Sequence, residues 1–394
     1  MLVKAMQNEE LGNENRTADR GRLQISVTSQ ITALPVADAT ISISYTGVPD
    51  STLERLDTDS SGQTEIIELN TPPLEYSLNP SIESQPYAEY TLDVSAPGFE
   101  PVSIAGAELL PEVTALQNVQ LRPIVQPGQE EVFVIPAHTL YGEYPPKIPE
   151  DEIKPTNETG EIVLSRVVVP EYIVVHDGSP RDTTATNYYV KYKDYIKNVA
   201  SSEIYATWPE NTIRANVLAI MSFTLNRVYT EWYRNKGYDF TITSSTAFDH
   251  KWIPERNYFD TISAVVDEVF ANYLSRPNVR QPILTQYCDG RRVQCPNWMT
   301  FLQGHTKCPR ARCLCGFTGY SNNRLSAYLQ FYHKQSFQRY SSKARFSLRH
   351  CSLVKRGYRK RCEHVPTSQN HDFPEQVSAL TVQVAPADHP VLFG

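Results

Sequence analysis

The sequence contains no uninterrupted run of about 18 apolar residues, the length at which a helix can cross a bilayer. Of its 394 residues, 40% are hydrophobic and 21% are charged, so the composition is that of a folded chain and not of a disordered one. The N-terminal stretch turns acidic before an apolar segment of about 7–15 residues forms, which argues against a secretory signal peptide. We therefore expect a soluble protein that is synthesised in the cytoplasm.

Several motifs that carry chemistry in known enzymes are also missing. The sequence has no glycine-rich phosphate loop, no G-x-S-x-G motif and no acidic cluster with metal-binding spacing. The formal net charge is −7, and it comes from residues 1–303, because the tail beyond them is basic. An acidic body argues against nucleic acid as a partner.

Residues 21–123 carry the alternation of apolar and polar residues that is typical of half-buried strands. The clearest runs are GRLQISVTS and ATISISYTG, and further strands are predicted at TEIIEL, AEYTLDVS and LQNVQL. Turn residues in LDTDSSGQT separate two of them. We expect a small β-sandwich here, preceded by a disordered N-terminus at 1–20.

The next 37 residues, 124–160, are rich in proline and acidic residues. Such a composition resists both helix and sheet, so we interpret this segment as a linker that contains at most one docked strand. His138 lies within it and is expected to be solvated.

Residues 161–303 form the second predicted domain. Strands are expected at EIVLSRVVVP and EYIVVHDG, followed by a long helix that ends near Gly237. Thr207 and Glu210 match a capping box at the start of that helix, and Pro209 stands near its first position. A second amphipathic helix is expected within FDTISAVVDEVFANYL.

Two family resemblances follow from these segments. The first domain, with PVADATISI, TDSSGQT and YTLDVSAPGFEPVSI, resembles the carboxypeptidase-regulatory-like family of prealbumin-type sandwiches. The second resembles the SpoIID/LytB domain of stage II sporulation protein D and the amidase enhancers. The residues that carry this resemblance follow the family's order and spacing: Asp194-Tyr195-Ile196-Lys197, Val199, Glu203-Ile204, Trp208-Pro209, Ile213-Arg214-Ala215, Ala219 and Ser222-Phe223. Asn216, Ile220 and Met221 depart from the family pattern.

The SpoIID resemblance implies lytic transglycosylation of peptidoglycan, with Glu203 as the acid and base. A single carboxylate suffices when the C6 hydroxyl of the muramic acid itself attacks C1 and closes a 1,6-anhydro ring. Tyr205, Trp208, Thr246 and Asp249 are the expected substrate-binding residues. The expected partners are glycan strands and a cell-wall amidase, and the expected place of action is the cell wall or spore envelope. The alternatives are a non-catalytic amidase enhancer and an inactive, frameshifted product.

Cys288 and Cys295 stand on either side of a turn in QYCDGRRVQCPNWM. Thiolates so placed can hold zinc together with a histidine or a water, and some SpoIID-like proteins are associated with zinc. Zinc is therefore the candidate cofactor. The competing interpretations are two free thiols or a disulfide, which a reducing compartment disfavours.

The tail from Gly304 to Gly394 differs from the rest, because it holds 14 basic and 4 acidic residues and five of the seven cysteines. With freely chosen codons for residues 310–323, a frame shifted by one base encodes EQGACAALQAIRT, which resembles the helix that the family requires next. We therefore interpret 304–394 as an out-of-frame translation. The alternative is a basic, zinc-binding arm for nucleic acid. The predicted architecture is thus multi-domain: an all-β prealbumin-like sandwich, an α+β SpoIID-like catalytic domain that is C-terminally truncated, and a poorly structured tail.

Overall fold

A computed structural model describes residues 18–48, 51–79, 82–124, 130–138, 145, 148, 163–276 and 279–285. It also describes the backbone of four short strands further along the chain, at 287–288, 299–300, 328–330 and 381–386. The described part of the chain is rich in β-sheet and has few helices. Among the described residues, no helix combines the length and the apolar character needed to cross a membrane.

The N-terminal body is built from strands and one short helix. In chain order these are β1 (Asp19–Ser29), β2 (Thr40–Tyr45), β3 (Thr52–Asp57), β4 (Ile67–Thr71), α1 (Glu75–Leu78), β5 (Ala88–Ser95), β6 (Val102–Leu109), β7 (Thr114–Leu121) and β8 (Glu131–Val134). The strand predicted at AEYTLDVS is confirmed at both ends. β1 begins at Asp19, so Asp19 and Arg20, which were expected to be disordered, belong to a strand, and residues 1–17 lie outside the described residues.

Two sheets form a sandwich over one core. One sheet has the order β4-β1-β7 and the other β3-β2-β5-β6-β8. The alternating pattern of β1 buries Leu23, Ile25 and Val27 completely, and β2 buries Ile41 and Ile43 in the same way. Strand periodicity therefore identified the inward face correctly, because successive side chains of a strand point to opposite sides.

β8 corresponds to the one strand that the linker was expected to contribute. It pairs in parallel with β6, from Val102 opposite Glu131 to Ala105 opposite Val134. The following residues Ile135 and His138 are buried. The expectation of a solvated His138 is therefore wrong, because β8 directs the chain back into the protein.

The second body contains β9 (Tyr172–His176), β10 (Asn187–Lys191), α2 (Tyr192–Glu203), α3 (Glu210–Tyr229), β11 (Ile242–Thr243), β12 (Tyr258–Phe259), α4 (Asp260–Val269) and β13 (Asn272–Ser275). Residues 163–170, predicted as a strand, form none. The long helix ends at Tyr229 and not near Gly237, and a separate 3-10 turn at Arg234–Lys236 precedes that glycine. Gly237 has a φ of 83°, a left-handed conformation that glycine adopts without strain.

The predicted capping box at the start of α3 is wrong. The N-cap position is Pro209, and no side chain caps the helix. The Thr207 hydroxyl instead donates to Ser77 Oγ of α1, at 2.8 Å. The Thr207 hydroxyl, which the local pattern assigned to the helix cap, thus forms a tertiary hydrogen bond to the sandwich.

The two bodies share a sheet. β12 pairs antiparallel with β7, placing Tyr258 opposite Leu116 and Phe259 opposite Ala115. The side chain of Asn257 extends this contact, because its amide nitrogen donates to the Glu108 carbonyl and its oxygen accepts from the Glu108 N–H. Buried residues of both bodies belong to one continuous core.

The C-terminal segment contributes the four short strands β14 (Tyr287–Cys288), β15 (Met299–Thr300), β16 (Tyr328–Gln330) and β17 (Thr381–Pro386). β17 pairs with β13 on one side and with β16 on the other. The rest of 304–394 lies outside the described residues, so the out-of-frame origin of the tail stays a prediction.

Candidate functional site

Glu203 is the last residue of α2 and is half-buried. The helix forms there because Tyr195, Ile196 and Val199 recur at helical spacing and are fully buried against the core. Ile204 then turns to an extended conformation and ends the helix. One carboxylate oxygen of Glu203, Oε1, accepts a 2.8 Å hydrogen bond from the backbone N–H of Lys251. The carboxylate is therefore fixed at an element junction, as predicted.

Tyr205 and Trp208 are buried at the contact between the two bodies. The Trp208 indole N–H donates to the Ser77 carbonyl at 3.0 Å. The Tyr205 ring packs edge-on against Trp208 and against His138, with ring centroids 5.9 and 5.0 Å apart. Both aromatic residues therefore hold the sandwich against the helical body, and a direct contact with glycan would require that interface to open.

Thr246 and Asp249 occupy one loop but differ in exposure. Thr246 is partly exposed, whereas Asp249 is 1% exposed. The Asp249 carboxylate accepts from Arg227 Nε at 2.7 Å, from the Tyr233 hydroxyl at 2.6 Å and from the Thr243 hydroxyl at 2.6 Å. The structure thus gives Asp249 a role in the core, in place of the predicted contact with substrate.

All three departures from the SpoIID-like pattern lie inside α3, where Ile220 is fully buried. Met221 is fully buried, and Asn216, 3% exposed, donates its amide to the Thr212 carbonyl one turn earlier. None of the three side chains borders solvent near Glu203. These substitutions therefore belong to the packing of the long helix and not to an open groove.

Near Glu203 lies a charged cluster that the sequence did not predict, in which Lys251 is partly exposed and the other three members are buried. We define it as Glu108, His138, Lys251 and Arg256. Arg256 Nη2 donates to Glu108 Oε2 and, at 2.7 Å, to the Ser201 carbonyl. His138 Nδ1 stands 3.5 Å from Glu108 Oε2 and 3.3 Å from Arg256 Nη2. Lys251 Nζ donates to the Ala137 carbonyl at 3.3 Å.

The cluster shifts the pKa values of its members. Burial raises the pKa of Glu108, but Arg256 and His138 together outweigh it, so the net pKa lies below the usual range. Burial lowers the pKa of His138, which favours a neutral imidazole. Burial also lowers the pKa of Lys251, assisted by Arg256, while the carboxylates of Glu108 and Glu203 oppose the shift. Glu203 and the cluster are therefore electrostatically coupled through Lys251.

A cleft of about 270 Å³ lies elsewhere, beyond the C-terminal end of α3. Its lining includes Tyr172, Trp232 and Phe240 and none of the predicted site residues. Glu203 is half-buried, as predicted, but it is not among the residues that line this cleft.

The predicted zinc site lies largely outside the described residues. Cys295 lies outside the described residues, and only the backbone of Cys288 is described. Within the described part of the chain, no group of three or more His, Cys, Asp or Glu side chains is arranged to hold a metal ion. Zinc binding by these cysteines stays a prediction.

The members of the cluster carried few signals in the sequence. Glu108 does carry a signal. It is the lone carboxylate in the otherwise small and apolar run SIAGAELL, which indicates a buried partner, because an unpaired buried charge is costly. Lys251 and Arg256 stand in a polar loop with no distinguishing pattern. Their role depends on which strands that loop crosses, and no local motif records it.

Comparison with known proteins gives no family. No family model matches the chain, and no curated protein matches it. Among solved structures, it is similar to catechol 1,2-dioxygenase from Acinetobacter sp. ADP1 at 13% identity, over 31% of this chain and 60% of that one, with a TM-score of 0.20. The minor pilin GBS52 of Streptococcus agalactiae matches at 13% identity, over 31% of this chain and 49% of that one, with a TM-score of 0.19.

A third similar structure is the Bacillus anthracis TIE protein, at 14% identity over 27% of this chain and 17% of that one, with a TM-score of 0.18. The chain spans 60% or less of the length of each of these three proteins. Scores this low do not establish a shared fold. The assignment of a β-sandwich therefore rests on the strand pairing of this chain.

Proposed function

We propose that the chain is a peptidoglycan lytic transglycosylase-like protein, which cleaves the bond between N-acetylmuramic acid and N-acetylglucosamine with Glu203 as its acid and base. The observation that carries this proposal is the placement of Glu203 within the SpoIID-like segment. It is half-buried at the end of α2 and held by the backbone N–H of Lys251. A carboxylate in this setting is both fixed in direction and reachable from solvent.

The chemistry needs no second carboxylate. Protonated Glu203 gives its proton to the glycosidic oxygen, so that the bond from C1 of the muramic acid to that oxygen breaks. The resulting Glu203 carboxylate then takes the proton of the C6 hydroxyl as O6 bonds to C1. The products are a 1,6-anhydro-muramic end and a free hydroxyl on the leaving sugar, and Glu203 is again protonated. No water is consumed, unlike in an ordinary glycosidase.

Glu203→Gln tests this function directly, because the amide keeps the size of the side chain but cannot carry the proton between the two oxygens. We expect E203Q to release no anhydro-muropeptides from purified sacculi, measured by liquid chromatography and mass spectrometry, while the protein still sediments with sacculi. The matched control is Glu210→Gln, an exposed carboxylate seven residues later that pairs with Arg214. Equal product from E203Q and wild type would exclude the role.

An amidase enhancer without turnover is the second candidate. The observation that favours it is the engagement of Tyr205, Trp208 and Asp249 within the protein, which leaves Glu203 and Thr246 as the partly exposed members of the predicted site. Such a protein would bind sacculi and increase the release of peptides by a purified cell-wall amidase. E203Q would leave that stimulation unchanged, and neither form would make anhydro products. Action at the cell wall or spore envelope is part of both proposals.

A further inference from the structure

Lys251 connects the surroundings of Glu203 with the sandwich. Lys251 contacts Glu203 by its backbone and turns its ammonium toward Ala137, at the end of the segment that follows β8. The same ammonium interacts electrostatically with Glu108 of β6 and with Arg256. Lys251 thus lies between the proposed catalytic carboxylate on one side and two elements of the sandwich on the other.

The charges alternate along this path. Lys251 interacts electrostatically with both Glu203 and Glu108, and Glu108 accepts from Arg256, whose guanidinium also donates to the Ser201 carbonyl of α2. The path therefore begins and ends on α2. Because Glu108 and Arg256 are buried, solvent screens this part of the path little. A change of charge at one member is felt at its neighbours.

We propose that Lys251 is a positioning residue for Glu203, and that the sandwich holds its ammonium in place through the Ala137 carbonyl. This inference rests on the proposed function of Glu203. Under this proposal the sandwich contributes to the site around Glu203 and is not only a spacer. The ammonium favours the carboxylate form of Glu203, which is the form that takes the proton of O6 in the second half of the reaction.

The side chain can be tested without disturbing the backbone contact. Lys251→Met removes the ammonium but keeps the apolar stem and the N–H that bonds Glu203, and Lys251→Arg keeps the charge. We expect K251M to lower kcat for anhydro-muropeptide release about tenfold with KM within twofold. We also expect the alkaline limb of its pH profile to move up by about one unit, because Glu203 then stays protonated to higher pH.

K251R should restore the profile, which a loss of packing alone would not allow. The control is Lys193→Met, since the Lys193 side chain is partly exposed, lies far along α2 from Glu203, and its partner Asp267 keeps Lys197 as a second cation. An unchanged pH profile in K251M, with folding intact, would overturn the inference.

A second measurement does not depend on activity. Lysines methylated with ¹³C-formaldehyde give NMR signals whose titration reports each amine, and K251M identifies the signal of Lys251. We expect E203Q to lower the pKa of Lys251 further, because it removes a carboxylate that opposes the effect of burial. E210Q should leave the pKa of Lys251 unchanged. If Lys251 responds to E203Q while wild type makes no anhydro products, the coupling stands and the proposed function fails. If Lys251 does not respond, the positioning role is wrong whatever the activity.

Discussion

The Arg256 guanidinium of the helical body donates to the Glu108 carboxylate of the sandwich strand β6, and both side chains are almost completely buried. Asn257, the next residue, bonds the backbone of the same glutamate. With Trp208 bonded to Ser77 and β12 paired with β7, these contacts make the two bodies one structural unit. The predicted division into a sandwich and a catalytic domain therefore describes segments of sequence that share a core.

The Glu108 and Arg256 pair should be essential for stability. We expect Arg256→Met to lower the free energy of unfolding by about 3–5 kcal/mol, because it leaves a buried carboxylate without its cation. Urea denaturation followed by circular dichroism measures this. The matched control is Arg20→Met, whose exposed partner Glu68 lies 3.9 Å away and contributes about 0–1 kcal/mol. Equal effects of the two substitutions would contradict the buried pairing.

Asp249 should behave as a core residue. Asp249→Asn weakens the bonds from Arg227 and Tyr233 and leaves the buried guanidinium without its anion. We expect a loss of about 3–5 kcal/mol in the free energy of unfolding, measured by chemical denaturation. A raised KM for glycan with an unchanged denaturation curve would instead support the contact with substrate that the sequence suggested.

Glu255 should make stability depend on pH. Burial, with a smaller contribution from Glu131, raises its pKa to about 7 from the ordinary value of 4.5. The folded state then binds a proton that the unfolded chain releases between these values, so stability is greatest below about pH 4.5 and is lost as the pH rises through 7. The loss from this group is about 3 kcal/mol at most.

Thermal denaturation of Glu255→Gln checks this dependence, because the neutral amide resembles the protonated acid. The gain of E255Q over wild type should be small at pH 5 and large at pH 8. The other groups near Glu255 are Tyr188 and Tyr258, whose pKa values are raised and which stay neutral over this range. Glu68→Gln, on the exposed face of β4, should show the same Tm difference from wild type at both pH values. If the Tm difference between E255Q and wild type is also the same at both pH values, Glu255 is not the source of the pH dependence.

The origin of the tail can be read from DNA. If residues beyond about Gly304 are translated out of frame, the coding sequence read one base later encodes an amphipathic helix close to EQGACAALQAIRT. We expect that frame to stay open past this helix. An early stop codon there would contradict the hypothesis and leave the basic, cysteine-rich tail as a genuine sequence.

Local patterns determined the elements whose signal is contained in their own residues. β1, β2 and β5 were predictable because strand alternation depends only on which side chains avoid water. α4 was predictable because its apolar residues repeat at helical spacing. The turn at Asp59 was predictable as well, since its carboxylate accepts the N–H groups of Ser61 and Gln63 beside it.

The tertiary structure decided where those elements meet. Thr207 caps no helix because its hydroxyl donates to Ser77, 130 residues earlier. His138 is buried because β8 adds to β6, and Lys251 is placed beside Glu203 because β12 anchors the loop that follows it to β7. The energy of a buried charge depends on partners that chain topology supplies, and spacing along the sequence does not contain that information. Glu203 could be named from its motif, but the charges that surround it could not.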